Sequence, residues 1–215
     1  MSPTSPDPVF HPALRGLAKG ISVIFHPLFI PLYILLFTLY KSPLPLALAP
    51  EARFRLGLSF GAMYLLFPLV TVLLARGLGF IDSIMLRSQK DRIIPYIACG
   101  IYYFWIWYVL HHQQAPAALV VLTLAIFLAS SAGLLLNAFI KISMHALSVG
   151  VAIAFLYLLA LISGASFGIY LSIGLFVAGL VCTARLINAD HRPKEVYLGL
   201  LLGMLSLVVA WMFEG

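Results

Sequence analysis

The sequence has little charge for its length. Charged residues make up 9% of its 215 residues, and hydrophobic residues make up 63%. A water-soluble domain carries charge on about a quarter of its residues, so this chain has too few polar side chains to cover a globule in water. Cysteine is also scarce, because Cys99 and Cys182 are the only two and both lie in apolar segments. This excludes a disulfide framework, and without any clustered ligand set we expect neither a metal nor a cofactor.

Acidic residues are few as well. Seven acids against 13 lysines and arginines give a formal net charge of +6. In a soluble protein this balance would favour nucleic-acid binding, but here the bases lie in short loops, with no basic helix and no patch of interleaved bases and aromatics. We therefore expect no nucleic-acid partner. Membrane lipids and an anionic lipid phosphate are the partners that the charge favours.

What the sequence has instead is seven apolar stretches, each long enough to cross roughly 30 Å of hydrocarbon as a helix. They cover residues 21–40, 57–79, 93–110, 117–137, 144–163, 168–187 and 196–213. His26, Pro27 and Pro31 interrupt the first stretch, which predicts a kink or a partly interfacial segment. The pattern predicts an all-α fold: a polytopic transmembrane helical bundle of about seven spans, or six if the first is interfacial.

The chain reads as one membrane domain. Residues 1–20 are expected to be a disordered or interfacial N-terminus, and residues 21–215 a single transmembrane helical domain. The apolar run that follows Arg15 and Lys19 has no small-x-small cleavage pattern, so an uncleaved span is expected rather than a signal peptide. Residues 42–52 contain three prolines and are expected to form a loop at the membrane surface.

Charged loops are predicted to share one face of the bilayer, because a helical hairpin separates each of them from the next. These loops are residues 80–92, 138–143 and 188–195. Of the 13 lysines and arginines, only Lys41, Arg53 and Arg55 fall on the opposite face. The positive-inside rule then points to the cytoplasm, but many of these cations are also candidate site residues, so the side on which the site lies stays open.

The third charged loop has the spacing of a phosphate-handling site. Arg185 is followed after five residues by His191, and Glu195 lies four residues further on. A guanidinium binds phosphate oxygens through its fork of donors, and an imidazole nitrogen is a nucleophile whose orientation Glu195 can fix. The spacing alone has low information content, so a helix-capping glutamate and an interfacial histidine remain the alternative.

The second charged loop adds residues of the same kind. Ser143 is placed to cap the following helix, whose N-terminus presents free N–H groups to an anion. His145, in the first turn, is a candidate proton donor to a leaving group, and Lys141 adds a cation. On the first loop, the positions of Arg87, Lys90 and Arg92 fit two interpretations equally well. Each residue either sets the membrane topology or binds substrate.

These residues resemble the type 2 phosphatidic acid phosphatase family, whose motifs are K-x6-R-P, P-S-G-H and S-R-x5-H-x3-D. The third motif is matched by Arg185, His191 and Glu195, with alanine in place of serine and glutamate in place of aspartate. The second is matched by Ser143 and His145, with Met144 in place of glycine. Motif order and separation match over about residues 117–213, whereas the Arg-Pro of the first motif is absent after Lys141.

The resemblance implies a function for each of these residues. His191 would form a phosphohistidine, Glu195 would orient it, and His145 would protonate the leaving group. The phosphoryl oxygens would be bound by the remaining candidates, with Arg92 or Arg87 replacing the missing arginine. These substrate-binding candidates are Lys141, Ser143, Arg185, Arg92, Arg87 and Lys90.

The expected function is hydrolysis of a lipid phosphomonoester or pyrophosphate: phosphatidate, phosphatidylglycerol phosphate or a polyprenyl pyrophosphate. The expected place is the cell membrane, as a multi-pass protein, which in a bacterium is the inner membrane. A noncatalytic transporter or binding protein for anionic lipids is the alternative, and a noncatalytic membrane scaffold is a third class. The substrate and the oligomeric state stay open at this point.

Overall fold

The computed structural model describes residues 10–44, 46–86, 88–163 and 167–215, and every regular element in these ranges is helical. The helices are α1 (Pro12–Ile24), α2 (Phe29–Tyr40), α3 (Pro50–Gly61), α4 (Phe67–Gly77), α5 (Gln89–His112), α6 (Ala117–Asn137), α7 (Met144–Ile162), α8 (Gly168–Ile187) and α9 (Pro193–Glu214). A π-helical turn, Ala62–Leu66, joins α3 to α4 in one span, Pro50–Gly77.

The prediction of a polytopic helical bundle is confirmed. Within the described ranges, six helices are long and apolar enough to cross a membrane, and α1 with α2 forms a seventh candidate bent by 54°. The bend lies where His26 and Pro27 interrupt the apolar run. Pro31 is accommodated within the first turn of α2, where the backbone N–H groups have no intrahelical partner.

Two boundaries differ from the sequence-based expectation. Residues 12–20 belong to α1 and are helical rather than disordered, because Pro12 starts the helix and the side chain of His11 accepts a hydrogen bond from the N–H of Ala13. Whether they are interfacial stays a prediction. The expected surface loop 42–52 ends early, since Pro50 occupies the first position of α3. Residues 1–9 lie outside the described residues.

Helix α6 is the centre of the bundle. It packs against α5, α7 and α9, and its residues Ala118–Ile126 are buried on all sides. A helix that is apolar around its whole circumference suits a central position, because no side of it has to face a polar surface. The predicted bounds of this helix, 117–137, are those of the structure.

Close packing between α7 and α9 is the most extensive helix pairing in the described chain. Gly203 of α9 faces Gly150 of α7, and Gly199, spaced from Gly203 as in a small-x-x-x-small motif, faces Ser143 and Ala146. A Cβ atom placed on Gly199 would lie 2.7 Å from the carbonyl oxygen of Ser143, and one on Gly203 would overlap the carbonyl oxygen of Leu147. Only glycine therefore permits this approach of the two backbones.

We expect Gly203→Ala to destabilise the fold, because its methyl group forces α7 and α9 apart. Overpacking of this kind costs about 1–3 kcal/mol in the free energy of unfolding. The measurement is the midpoint of thermal unfolding in detergent, followed by tryptophan fluorescence. Gly179→Ala is the matched control, since a Cβ at Gly179 meets nothing within 4 Å. Equal midpoints for the two variants would contradict the close-packing assignment.

Candidate active site

The three charged loops meet at one end of the bundle, as the span parity predicts. Nη1 of Arg92 donates to the carbonyl oxygen of Ile142 at 2.9 Å. The backbone N–H of Ser143 donates to the carbonyl oxygen of Glu195 at 3.0 Å. The side chain of Gln89 and that of Asn137 each bond to the other residue's backbone, at 2.6 and 2.9 Å. These bonds join segments that lie about 50 residues apart in the sequence.

A cavity of about 560 Å³ opens beneath these loops. Its size falls within the range of small-molecule sites. Most of its wall is apolar and comes from α2, α4, α5, α6 and α7. The histidine and charged side chains that line it are His26, Arg92, His145, Arg185 and His191. The cavity thus joins a cationic end to an apolar body.

His191 is held in one tautomer. Its Nδ1 lies 3.1 Å from Oε2 of Glu195 and 3.1 Å from the carbonyl oxygen of Lys141. Because both oxygens are acceptors, Nδ1 carries the proton, and the neutral ring has its lone pair on Nε2. No described residue makes a hydrogen bond to that Nε2, and His191 lines the cavity. This is the arrangement that a histidine nucleophile requires.

Glu195 owes its position to the start of α9. Its Oε2 also accepts from the backbone N–H of Arg192 at 3.2 Å, and Pro193 begins the helix. A carboxylate at a helix N-terminus is stabilised by the free N–H groups there. The i,i+4 spacing therefore brings His191 and Glu195 together across the first turn, as the sequence predicts.

The pKa of His191 lies below its ordinary value. Burial is the main cause, and the charges of Arg92, Arg185 and Lys141 lower the pKa further, whereas the hydrogen bond to Glu195 raises it. Since the ordinary pKa is about 6.5, the ring is neutral at pH 7. A neutral ring keeps the Nε2 lone pair available.

Arg92 carries a buried charge without a carboxylate partner among the described residues. Its side chain is tethered to backbone carbonyls, with Nε donating to Leu86 and Nη1 donating to Ile142, both at 2.9 Å. The residue is 5% exposed. Burying an ion costs several kcal/mol unless it is compensated, so this position favours an anion in the cavity.

Arg185 is the second guanidinium at the cavity. It forms an ion pair with Asp190 at 2.8 Å, and its Nη1 donates to the hydroxyl of Ser22 at 3.3 Å. Its Nε is buried and has no hydrogen-bond partner among the described residues. Arg185 therefore keeps one donor for a ligand while the other two nitrogens fix its plane.

His145 contacts α1, which sequence reasoning did not include in the site. Its Nε2 donates to the carbonyl oxygen of Ser22 at 2.9 Å, so the lone pair of the neutral ring is on Nδ1. The ring of His26 packs edge-on against it, with centroids 5.5 Å apart. Ser22 gives no motif signal, because a single serine in an apolar run is common. His26 is visible only as an interruption of the first span.

The remaining predicted site residues have other positions. Ser143 is fully buried and its hydroxyl accepts from the N–H of Ala146 at 3.4 Å, so the side chain caps α7 and does not line the cavity.

Lys141 contacts His191 through its backbone carbonyl. Partial burial and the charge of Arg92 lower the pKa of the Lys141 ammonium group. Lys90 is exposed and away from the cavity, and Arg87 lies outside the described residues. Met144 lines the cavity, at the position of the family's glycine.

No cluster of three or more His, Cys, Asp or Glu side chains in the described ranges is arranged to hold a metal ion. The groups that meet at the cavity end are two guanidiniums, three imidazoles and the carboxylate that orients one of them. Chemically, such a set can bind an anion, supply a neutral nitrogen nucleophile and exchange a proton.

We expect Arg92→Gln to raise the pKa of His191, because the positive charge at Arg92 disfavours the protonated ring. Diethyl pyrocarbonate modifies only unprotonated imidazole, so the pH dependence of modification at His191, read by peptide mass spectrometry, reports this pKa. The wild-type midpoint is expected below about 6.5, and that of the variant at higher pH. Arg76→Gln, which removes an exposed charge at the end of α4, is the control. A midpoint that stays at the wild-type value in Arg92→Gln would contradict the electrostatic assignment.

Comparison of the chain with protein-family models, curated proteins and solved structures finds no match. The resemblance to the type 2 phosphatidic acid phosphatase family therefore stays a prediction. The residues of the candidate site are defined by their own contacts: His191 with Glu195, His145 with Ser22, and two arginines at one end of an apolar cavity.

Proposed function

We propose that this multi-pass membrane protein is a phosphatase that hydrolyses the phosphomonoester or pyrophosphate of a lipid through a phosphohistidine at His191. The observation that carries the proposal is the state of His191: Nδ1–H is held by Glu195 and the carbonyl of Lys141, Nε2 has no hydrogen-bond partner among the described residues, and the residue lines a cavity that two guanidiniums also line. A neutral nucleophile beside uncompensated positive charge suits attack on a phosphate.

In the first half-reaction, Nε2 of His191 attacks the phosphorus and the bond from phosphorus to the leaving oxygen breaks. Nδ1 of His145 takes up a proton from solvent when the anionic phosphate is bound, and the resulting imidazolium gives this proton to the leaving oxygen. Nδ1 has this role because the Nε2–H is donated to the carbonyl of Ser22. As the P–N bond forms, positive charge develops on His191, and the carboxylate of Glu195 stabilises it through the Nδ1–H.

In the second half-reaction, water attacks the phosphorus of the phosphohistidine and the P–N bond breaks. His145, now neutral, takes a proton from the water at Nδ1, and inorganic phosphate leaves. The imidazolium of His145 is thereby restored for the next cycle. Arg92 and Arg185 stabilise the negative charge that the equatorial oxygens carry in both transition states.

The apolar body of the cavity supports a lipid as the substrate. Leu65, Leu69 and Val72 line it from the π turn and α4, and Ile30 and Ile34 line it from α2. An acyl or prenyl chain suits this wall, while its phosphate reaches the cationic end. Phosphatidate, phosphatidylglycerol phosphate and polyprenyl pyrophosphate all satisfy this description, and the bacterial inner membrane is the proposed location.

A noncatalytic transporter or binding protein for anionic lipids is the second candidate. The break between α1 and α2 supports it, because broken helices beside a buried site are typical of transporters, and His26 lies at this break on the cavity wall. Both candidates use the same cationic end of the cavity. They differ in whether His191 reacts.

We expect His191→Ala to abolish phosphate release, and His145→Ala to reduce it about 10²–10⁴-fold, the usual contribution of a general acid. The purified protein in detergent is assayed with EDTA on a panel of lipid phosphates and pyrophosphates. A ³²P-labelled substrate is expected to leave an acid-labile label on the peptide that contains His191.

His112→Ala is the control, because His112 is exposed at the opposite end of α5. All variants are first compared by thermal unfolding, so that loss of fold is not read as loss of activity. A wild type that releases no phosphate from any substrate, or a His191→Ala variant as active as His112→Ala, contradicts the catalytic proposal. Binding of lipid phosphate without hydrolysis would then support the second candidate.

A further inference from the structure

We infer that α1, which lies outside the region of family resemblance, supplies a positioning residue for the site: Ser22 holds Arg185 in its ligand-binding orientation and fixes the tautomer of His145. This inference rests on the proposed function for its kinetic consequences. Its geometric basis is independent, because one residue contacts side chains of both α7 and α8 at the cavity.

The hydroxyl of Ser22 is an acceptor for α8. It lies 3.3 Å from Nη1 of Arg185 and 3.4 Å from Nδ2 of Asn188, and the residue is only 7% exposed. Asp190 holds Nη2 of Arg185 from the other side. With two nitrogens of the guanidinium held, Nε is the donor without a partner among the described residues. Without the hydroxyl, Arg185 keeps only the Asp190 contact, and Asp190 is half exposed.

The carbonyl of Ser22 is an acceptor for α7, and the helix break makes it available. Helix α1 ends at Ile24, so the carbonyl of Ser22 belongs to its last turn, where intrahelical partners are missing. A continued helix would bring the N–H of His26 to this carbonyl, but Pro27 disfavours a helical conformation at the residue before it, and His26 is not helical. The free carbonyl accepts from Nε2 of His145 at 2.9 Å. The bend between α1 and α2 thus exposes the carbonyl of Ser22. Because this carbonyl binds Nε2 of His145, Nδ1 of His145 is the nitrogen that remains for proton transfer.

The two contacts predict a separable result for Ser22→Ala. This change removes the hydroxyl and keeps the carbonyl, so it weakens the placement of Arg185 and leaves His145 oriented. A hydrogen bond to a charged group corresponds to roughly a tenfold change in affinity. We expect KM for the lipid phosphate to rise roughly tenfold and kcat to fall as well, because Arg185 also stabilises the transition states. Ser22→Thr, which restores a hydroxyl, is expected to restore KM.

Three further measurements separate positioning from general packing. Ser206→Ala is the matched control, because Ser206 is also a buried helical serine, but its hydroxyl bonds only to Leu202 of its own helix. Thermal unfolding of each variant is measured alongside. In an Arg185→Gln background, Ser22→Ala is expected to have no further effect on KM, since the group that it positions is gone.

Binding of inorganic phosphate tests the inference without any catalysis. Phosphate is expected to protect His191 from diethyl pyrocarbonate, and Ser22→Ala is expected to need roughly ten times more phosphate for half protection. If phosphate protects His191 of the wild type and Ser22→Ala needs more phosphate, but the wild type hydrolyses no substrate, the catalytic proposal fails and the positioning inference stands. If Ser22→Ala matches Ser206→Ala in protection, or if its effect persists in the Arg185→Gln background, the inference is overturned.

Discussion

Close approach of α7 and α9 at three glycines sets the distances on which the rest of the site depends. In a bilayer the surroundings are as apolar as the helix surfaces, so helices associate through contact area and hydrogen bonds rather than through the hydrophobic effect. Gly150, Gly199 and Gly203 supply that contact area. One turn before Gly199 in α9, the carbonyl of Glu195 accepts a hydrogen bond from the N–H of Ser143. His191 and Glu195 are therefore fixed relative to the loop of Lys141, whose carbonyl contacts the imidazole of His191.

Positive charge at the cavity is the second constraint. Arg92 is buried against carbonyl oxygens, and Arg185 has an ion pair with the half-exposed carboxylate of Asp190. Burial is the main cause of the lowered pKa of His191, and both charges lower it further, so groups suited to bind an anion also favour the neutral imidazole. A bound phosphate would compensate the guanidiniums. Under the proposed function, anion binding and a neutral His191 are thus both favoured by the positive charge of Arg92 and Arg185.

The sequence predicts the parts of the fold that local pattern controls. Uniform apolarity predicts the bounds of α6, and the i,i+4 spacing at the start of α9 predicts the contact of His191 with Glu195. Which face of α5 turns inward is not encoded locally: Lys90 is exposed and Arg92 is buried, although both looked equivalent in sequence. Ser22 carries no signal, because its importance comes from contacts with Arg185 and His145, more than 120 residues away. Ser143 is correctly predicted as a cap, and that same role removes its hydroxyl from the cavity.

The glycine seam also has a consequence for biosynthesis. Helix α8 lies between α7 and α9 in the chain, so the seam can close only after α8 has entered the membrane and α9 has been synthesised. Until then the loop of Lys141 lacks the N–H to carbonyl bond that anchors it to α9, and the imidazole of His191 lacks its contact with the carbonyl of Lys141. A nascent chain inserted up to α8 would thus hold Arg92, Arg185 and His145 without His191 in place, and the candidate site would be complete only after α9 has packed against α7.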